Sequence, residues 1–226
     1  MVGLRLALVT LETPGEFAKF ILTHRLCPTP SKEKLSEMDA IWVVLAYLIG
    51  SVPFGIVAGK LRGIDLTQRD VPGASGTFRQ LGPTWGVAVA LLDMLKGALV
   101  AYLTTFTGAP WAPPLMATML VSGHNWPLYF GLRGGGGIAP SVGFFLWMLP
   151  QTTLGAVALG LGVAALYWQL YWKRTRRGIY PIPAGAAVGY LYALLALRGE
   201  PQAFWALLAV SVVVAIRGVR MMQNKR

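Results

Sequence analysis

Two stretches without a single Asp, Glu, Lys or Arg, Gly97 to Leu132 and Gly134 to Trp172, restrict what this chain can become more than any other feature. A helix that crosses a membrane needs about 20 apolar residues, so each run is long enough for nearly two passes. Prolines divide them, Pro110, Pro113 and Pro114 in the first and Pro150 in the second. Shorter charge-free runs extend from Ala40 to Gly59, Gly178 to Leu197 and Pro201 to Ile216. Only 13% of the residues are charged, against about 25% in soluble domains, which excludes an ordinary soluble fold. No period-two alternation marks the strands of a membrane barrel. The expectation is an all-α polytopic membrane protein with about seven transmembrane helices. They lie near 40–60, 84–107, 111–130, 137–149, 152–172, 181–197 and 202–217, the fourth short enough to be tilted or re-entrant. No repeat of the inverted-transporter kind is visible.

The basic residues give the orientation. With the first helix starting outside, one membrane face receives Lys60, Arg62, Arg69 and Arg79, then Arg133, then Lys173, Arg174, Arg176 and Arg177, and finally Arg217, Arg220, Lys225 and Arg226. The connections opposite hold only Arg198, so the basic face is expected to be cytoplasmic and the N-terminus outside. The formal charge of +11 therefore follows from topology and from anionic lipid or substrate. Nucleic acid is excluded as a partner because the aromatics lie in apolar runs rather than along a basic stripe. Residues 1–39 balance five acidic against five basic side chains and read as a separate extension of interfacial helices, with residues 40–226 forming the transmembrane domain. The single cysteine, Cys27, and the two distant histidines, His24 and His124, give no metal site.

Several polar segments interrupt the apolar frame. Gly123 to Ser141 reads G-H-N-W-P-L-Y-F-G-L-R-G-G-G-G-I-A-P-S and sets His124 and Arg133 beside four consecutive glycines. Irregular backbone at such a place survives only where protein or water shields it. L-I-G-S-V-P-F-G, Leu48 to Gly55, predicts a kink at Pro53. The loop from Thr67 to Gly82 offers Gly73, Ser75, Thr77 and Arg79 as amide, hydroxyl and guanidinium donors suited to phosphate. Asp93 lies about ten residues from Pro83, roughly 15 Å deep at 1.5 Å per residue. A charge there costs on the order of 3 kcal/mol unless paired, and Lys96, three residues on, shares its helical face. The two are expected to form a structural ion pair.

These segments, G-A-S-G-T-F-R-Q-L-G, L-L-D-M-L-K-G and G-H-N-W-P with its glycine cluster, occur in the order and spacing of the PlsY family, which the chain resembles over residues 45–145. That family comprises bacterial acyl-phosphate:glycerol-3-phosphate acyltransferases. The resemblance implies an inner-membrane enzyme of phospholipid biosynthesis. It would move a fatty acyl group from acyl phosphate to glycerol 3-phosphate, giving lysophosphatidic acid, with no metal, cofactor or acyl carrier. His124 would be catalytic. Arg79, Ser75, Thr77, Gly73, Arg133, Gly134, Gly135, Gly136 and Gly137 would bind substrate. The chain departs from the family pattern at Arg69, Val71 and Gly76, which replace a serine and two asparagines, and at Gly136, which replaces a lysine. A catalytically degenerate lipid- or phosphate-binding protein on the same scaffold is therefore the alternative.

Overall fold

The computed structural model describes residues 37–223. Among them every regular element is helical. The first pass is divided into α1 (Glu37–Gly50) and α2 (Phe54–Leu61). Two short helices, α3 (Leu66–Arg69) and α4 (Ala74–Leu81), lead into α5 (Pro83–Leu103). Next come α6 (Ala112–Asn125), α7 (Ile138–Met148), α8 (Pro150–Tyr167), α9 (Pro181–Ala196) and α10 (Pro201–Gln223). A π-helical turn, Trp168–Trp172, and a last turn, Lys173–Thr175, lengthen α8. Counted with α1 and α2 as one, seven long helical segments result, an all-α multi-pass membrane protein. Glu37–Leu61, Pro83–Phe106, Pro150–Thr175 and Pro201–Gln223 are each long and apolar enough to span a membrane, and Ile138–Met148 and Pro181–Ala196 are shorter apolar helices. The interfacial helices expected before residue 37 lie outside the described residues.

Proline fixes several starting points. Pro83, Pro150, Pro181 and Pro201 each open a helix, where the missing amide hydrogen costs no intrahelical bond and φ is already helical. Within lipid, helices do not associate by hiding apolar surface from water, and close packing through small residues takes over. Gly50 and Gly123 bring α1 against α6: a Cβ on the first would run into the Leu120 carbonyl and one on the second into that of Tyr47. Gly97 and Gly143 do the same for α5 and α7. Large apolar side chains such as Leu95, Leu154, Leu161 and Leu191 face outward, as a lipid solvent allows.

The kink expected at Pro53 is a full break. Helix α1 stops at Gly50 and α2 restarts at Phe54, which frees the carbonyls of Gly50 and Val52 and the amide of Phe54 from their regular partners. All three turn to one buried pair on α5. Lys96 Nζ donates to Val52 O at 2.8 Å and Gly50 O at 3.2 Å, and Phe54 N donates to Asp93 Oδ1 at 3.5 Å.

The segment Thr67 to Gly82, expected as a loop, is two helices. Asp65 caps α3 by accepting from Thr67 N at 2.9 Å and from the Thr67 hydroxyl at 2.6 Å; the hydroxyl bond chiefly holds its carboxyl below the usual range. Phe78 of α4 lies against Gly86 of α5, where a Cβ would meet its Cβ at 2.5 Å. The glycine- and serine-rich sequence hides α4, because its helicity depends on docking against α5 rather than on an apolar period.

Candidate active site

The site is built where α6 ends. The last turn of a helix leaves its carbonyls without amide partners. Pro127 prevents the helix from continuing, and the chain returns so that Gly135 N donates to His124 O at 3.0 Å and Gly134 N to Asn125 O at 3.1 Å. The glycine turn therefore caps α6. Only glycine fits: a Cβ on Gly134 would collide with His124 O, and one on Gly135 with His124 Nε2. Gly137 has φ +80 and forms the N-cap of α7.

The outer side of the turn is held by a residue from the far end of the chain. Arg217 of α10 donates from Nη2 to Gly134 O at 2.6 Å and from Nε to Gly135 O at 3.1 Å. With both carbonyls fixed, and the amides of Gly134 and Gly135 bonded to α6, the turn is rigid. The amides of Gly136 and Gly137 have no hydrogen-bond partner among the described residues, and α7 begins with no side-chain cap. The Gly137 amide stands at the positive end of α7, with that of Gly136 just before it.

A second helix start meets this one. Helix α4 also lacks a side-chain cap, and a Cβ on its N-cap residue, Gly73, would lie 3.7 Å from Gly135 Cα and 3.9 Å from Gly136 N. Gly55 of α2 makes room for the approach: a Cβ there would meet Pro72 O at 2.6 Å. Two N-termini without side-chain caps thus lie so near each other that a single added methyl group on Gly73 would touch the glycine turn, a geometry that suits anions such as phosphate.

Behind the turn lies a polar cluster sealed from solvent. His124 is 2% exposed, Asp93 0% and Lys96 5%. Lys96 Nζ lies 2.9 Å from Asp93 Oδ1, the expected ion pair, and 3.0 Å from His124 Nδ1. His124 Nδ1 is 3.5 Å from Asp93 Oδ1. The pair therefore joins the broken first pass to the residue beneath the glycine turn.

The other residues singled out in the sequence are placed unevenly. Gly73, Gly134, Gly135, Gly136, Gly137 and His124 come together. Ser75 stands half-buried in the first turn of α4, and Arg133 is exposed just before the glycine turn. Thr77 is fully buried, its hydroxyl donating to Gly73 O at 3.0 Å, so it stabilises α4 from within. Arg79 is turned aside into a two-point ion pair, Nε to Asp70 Oδ2 at 2.8 Å and Nη2 to Asp70 Oδ1 at 2.7 Å, and stacks 4.2 Å over the Tyr180 ring. Sequence reasoning missed two contributors. From the sequence Arg217 reads only as a topological charge, and Asp70 as one more residue of a polar loop. An arginine following an apolar run by one residue, Ile216-Arg217, was the available signal for the first.

Comparison with known proteins agrees with this architecture. The family model for glycerol-3-phosphate acyltransferase matches residues 40–224. Glycerol-3-phosphate acyltransferase 2 of Deinococcus radiodurans is 38% identical over 191 residues, covering 83% of this chain and 96% of the relative. The glycerol-3-phosphate acyltransferase of Geobacillus kaustophilus is 39% identical over 132 residues, 57% of this chain and 67% of the relative. Among solved structures, the glycerol 3-phosphate form of PlsY, an integral membrane glycerol 3-phosphate acyltransferase, is similar with a TM-score of 0.70 and 28% identity. That similarity covers 83% of this chain and 91% of the other. On the extent of these matches, the chain belongs to the glycerol-3-phosphate acyltransferase (PlsY) family.

Proposed function

We propose that this protein transfers a fatty acyl group from acyl phosphate to the 1-hydroxyl of glycerol 3-phosphate. The hydroxyl oxygen forms a bond to the acyl carbon and the bond from that carbon to the phosphate oxygen breaks. Lysophosphatidic acid and inorganic phosphate leave, and the hydroxyl proton ends on the phosphate. The donor is already an activated anhydride, so the protein has mainly to align two anions and stabilise developing charge. The observation that carries this reading is the meeting of the α4 and α7 N-termini at Gly73 and Gly136. The unbonded amides of Gly136 and Gly137 at this junction hold phosphate oxygens, Arg217 adds fixed positive charge at the turn, and the lipid-facing helices leave the acyl tail in the bilayer. Arg133 and Ser75, at the edges of this cradle, contact the substrate phosphates. His124 supports it from below.

The basic loops face the cytoplasm of a bacterial inner membrane, and the N-terminus lies outside. Cys27 is the only cysteine, so a membrane-impermeant maleimide should label intact spheroplasts; labelling only after lysis reverses the orientation. For activity, purified protein in liposomes is given acyl phosphate and labelled glycerol 3-phosphate. Labelled lysophosphatidic acid with equal release of phosphate is expected. Product formed only from an acyl thioester would refute the proposed donor, and absence of product from either donor would refute the transferase.

A further inference from the structure

The ion pair on α5 does more than join helices. Lys96 Nζ has four neighbours that can accept a hydrogen bond: Val52 O at 2.8 Å, Asp93 Oδ1 at 2.9 Å, His124 Nδ1 at 3.0 Å and Gly50 O at 3.2 Å. An ammonium carries three N–H donors and no lone pair. At 3.0 Å from it, His124 Nδ1 forms a hydrogen bond only by accepting. A proton on Nδ1 would have one other outlet, Asp93 Oδ1 at 3.5 Å, which is farther away and already holds Lys96. A neutral imidazole has a single N–H, so an accepting Nδ1 leaves the proton on Nε2. That nitrogen is the one turned to the glycine turn, since a Cβ built on Gly135 would run into it.

We infer that Lys96 is a positioning residue, held by Asp93 and by the Val52 carbonyl freed at the helix break, with the more distant Gly50 carbonyl sharing one of those N–H groups, and that its third N–H fixes His124 as the Nε2–H tautomer and so gives the glycine turn a hydrogen-bond donor rather than a base. This rests on the acyltransferase reading in placing His124 at the site, but the tautomer is a property of the protein alone. It assigns a role to the break in the first pass: an unbroken helix would keep the carbonyls of Gly50 and Val52 for itself, and Lys96 would lose two of the groups that orient it. It also limits His124. An imidazole whose Nε2 carries the proton cannot remove one from a substrate hydroxyl through that atom.

The chain contains two histidines, His24 and His124, so His24→Gln leaves one imidazole to observe. With ring nitrogens and carbons labelled, solid-state NMR of this protein in lipid bilayers separates Nδ1 from Nε2 through the bond of Nδ1 to Cγ. The expected result is a bare Nδ1 and a protonated Nε2. A proton on Nδ1, or on both nitrogens, overturns the inference. In Lys96→Met the proton should redistribute toward Nδ1; an unchanged tautomer also overturns it. Should Lys96→Met fail to fold, the hydrogen bond from Nζ to Nδ1 is sought directly in the parent protein, and its absence is equally decisive. Kinetically, Lys96→Met should lower kcat about 100-fold, the scale of losing one well-aimed donor, while KM for glycerol 3-phosphate changes less than about 3-fold. If the parent protein makes no lysophosphatidic acid, the acyltransferase reading fails while the tautomer result stands.

Discussion

Exchanging Gly135 for alanine puts a methyl group where the His124 ring stands. The new Cβ would overlap Nε2 and lie 3.0 Å from Cδ2 and from Cε1. The ring has little freedom to withdraw: it is 2% exposed and its far nitrogen is bonded to Lys96 at 3.0 Å. The turn has little freedom either, with Gly135 N bound to His124 O and Gly135 O to Arg217. Forcing one methyl into such packing costs about 1–3 kcal/mol. For a domain of this size, about 2 kcal/mol corresponds to a Tm lower by roughly 4–8 °C. The adjacent Gly136 is the control. A Cβ there meets nothing within 4 Å, and its φ is not positive, so Gly136→Ala should leave Tm within about 2 °C. Thermal unfolding of both variants in the same detergent, followed by intrinsic tryptophan fluorescence, checks the pair. Equal losses for the two, or no loss for Gly135→Ala, would show that the turn does not rest on His124 in the way described.

Arg217→Ala removes two charge-assisted bonds from the glycine turn and should cost about 2 kcal/mol in stability. It should also lower turnover at least 10-fold, read as phosphate release, and Arg217→Lys should not restore the rate because a single ammonium lacks the fork that spans Gly134 O and Gly135 O. Breaking the buried pair by Asp93→Ala or by Lys96→Met should each cost about 3–5 kcal/mol, with the double variant clearly less destabilised than the sum, as a double-mutant cycle on thermal or denaturant unfolding will show. Asp70→Asn releases the Arg79 fork; the guanidinium is partly exposed but the Asp70 side chain is only 7% exposed, so the loss of stability should be about 1–2 kcal/mol. The freed guanidinium should lower KM for glycerol 3-phosphate, and an unchanged KM would place Arg79 outside the substrate path.

Much of the site was legible because its chemistry is local. The pairing of Asp93 with Lys96 follows from one helical turn and the cost of charge at mid-membrane depth. The glycine turn follows from backbone that no lipid-facing segment would tolerate. Arg79 was harder, since donor type and spacing suit a phosphate equally well whether the fork is open or already occupied by Asp70. Nothing in the order of residues along α4 distinguishes those cases; the partner precedes it by nine positions across a turn. Thr77 looked like a presented hydroxyl and is an internal helix contact for the same reason. Arg217 was invisible as a site residue, because it reaches the turn across more than eighty positions of chain.

Taken alone, the sequence determined the class, about seven helical passes, the starts of the proline-led helices and the family, because hydrophobic run length and proline chemistry act within a few residues of where they are read. Only the tertiary structure decided which carbonyls Lys96 takes, which glycine amides are left unbonded, and where Arg79 and Arg217 point. Those outcomes depend on helices brought within contact by small residues distant in the chain, and a hydrogen bond exists only when both of its ends arrive at the same place.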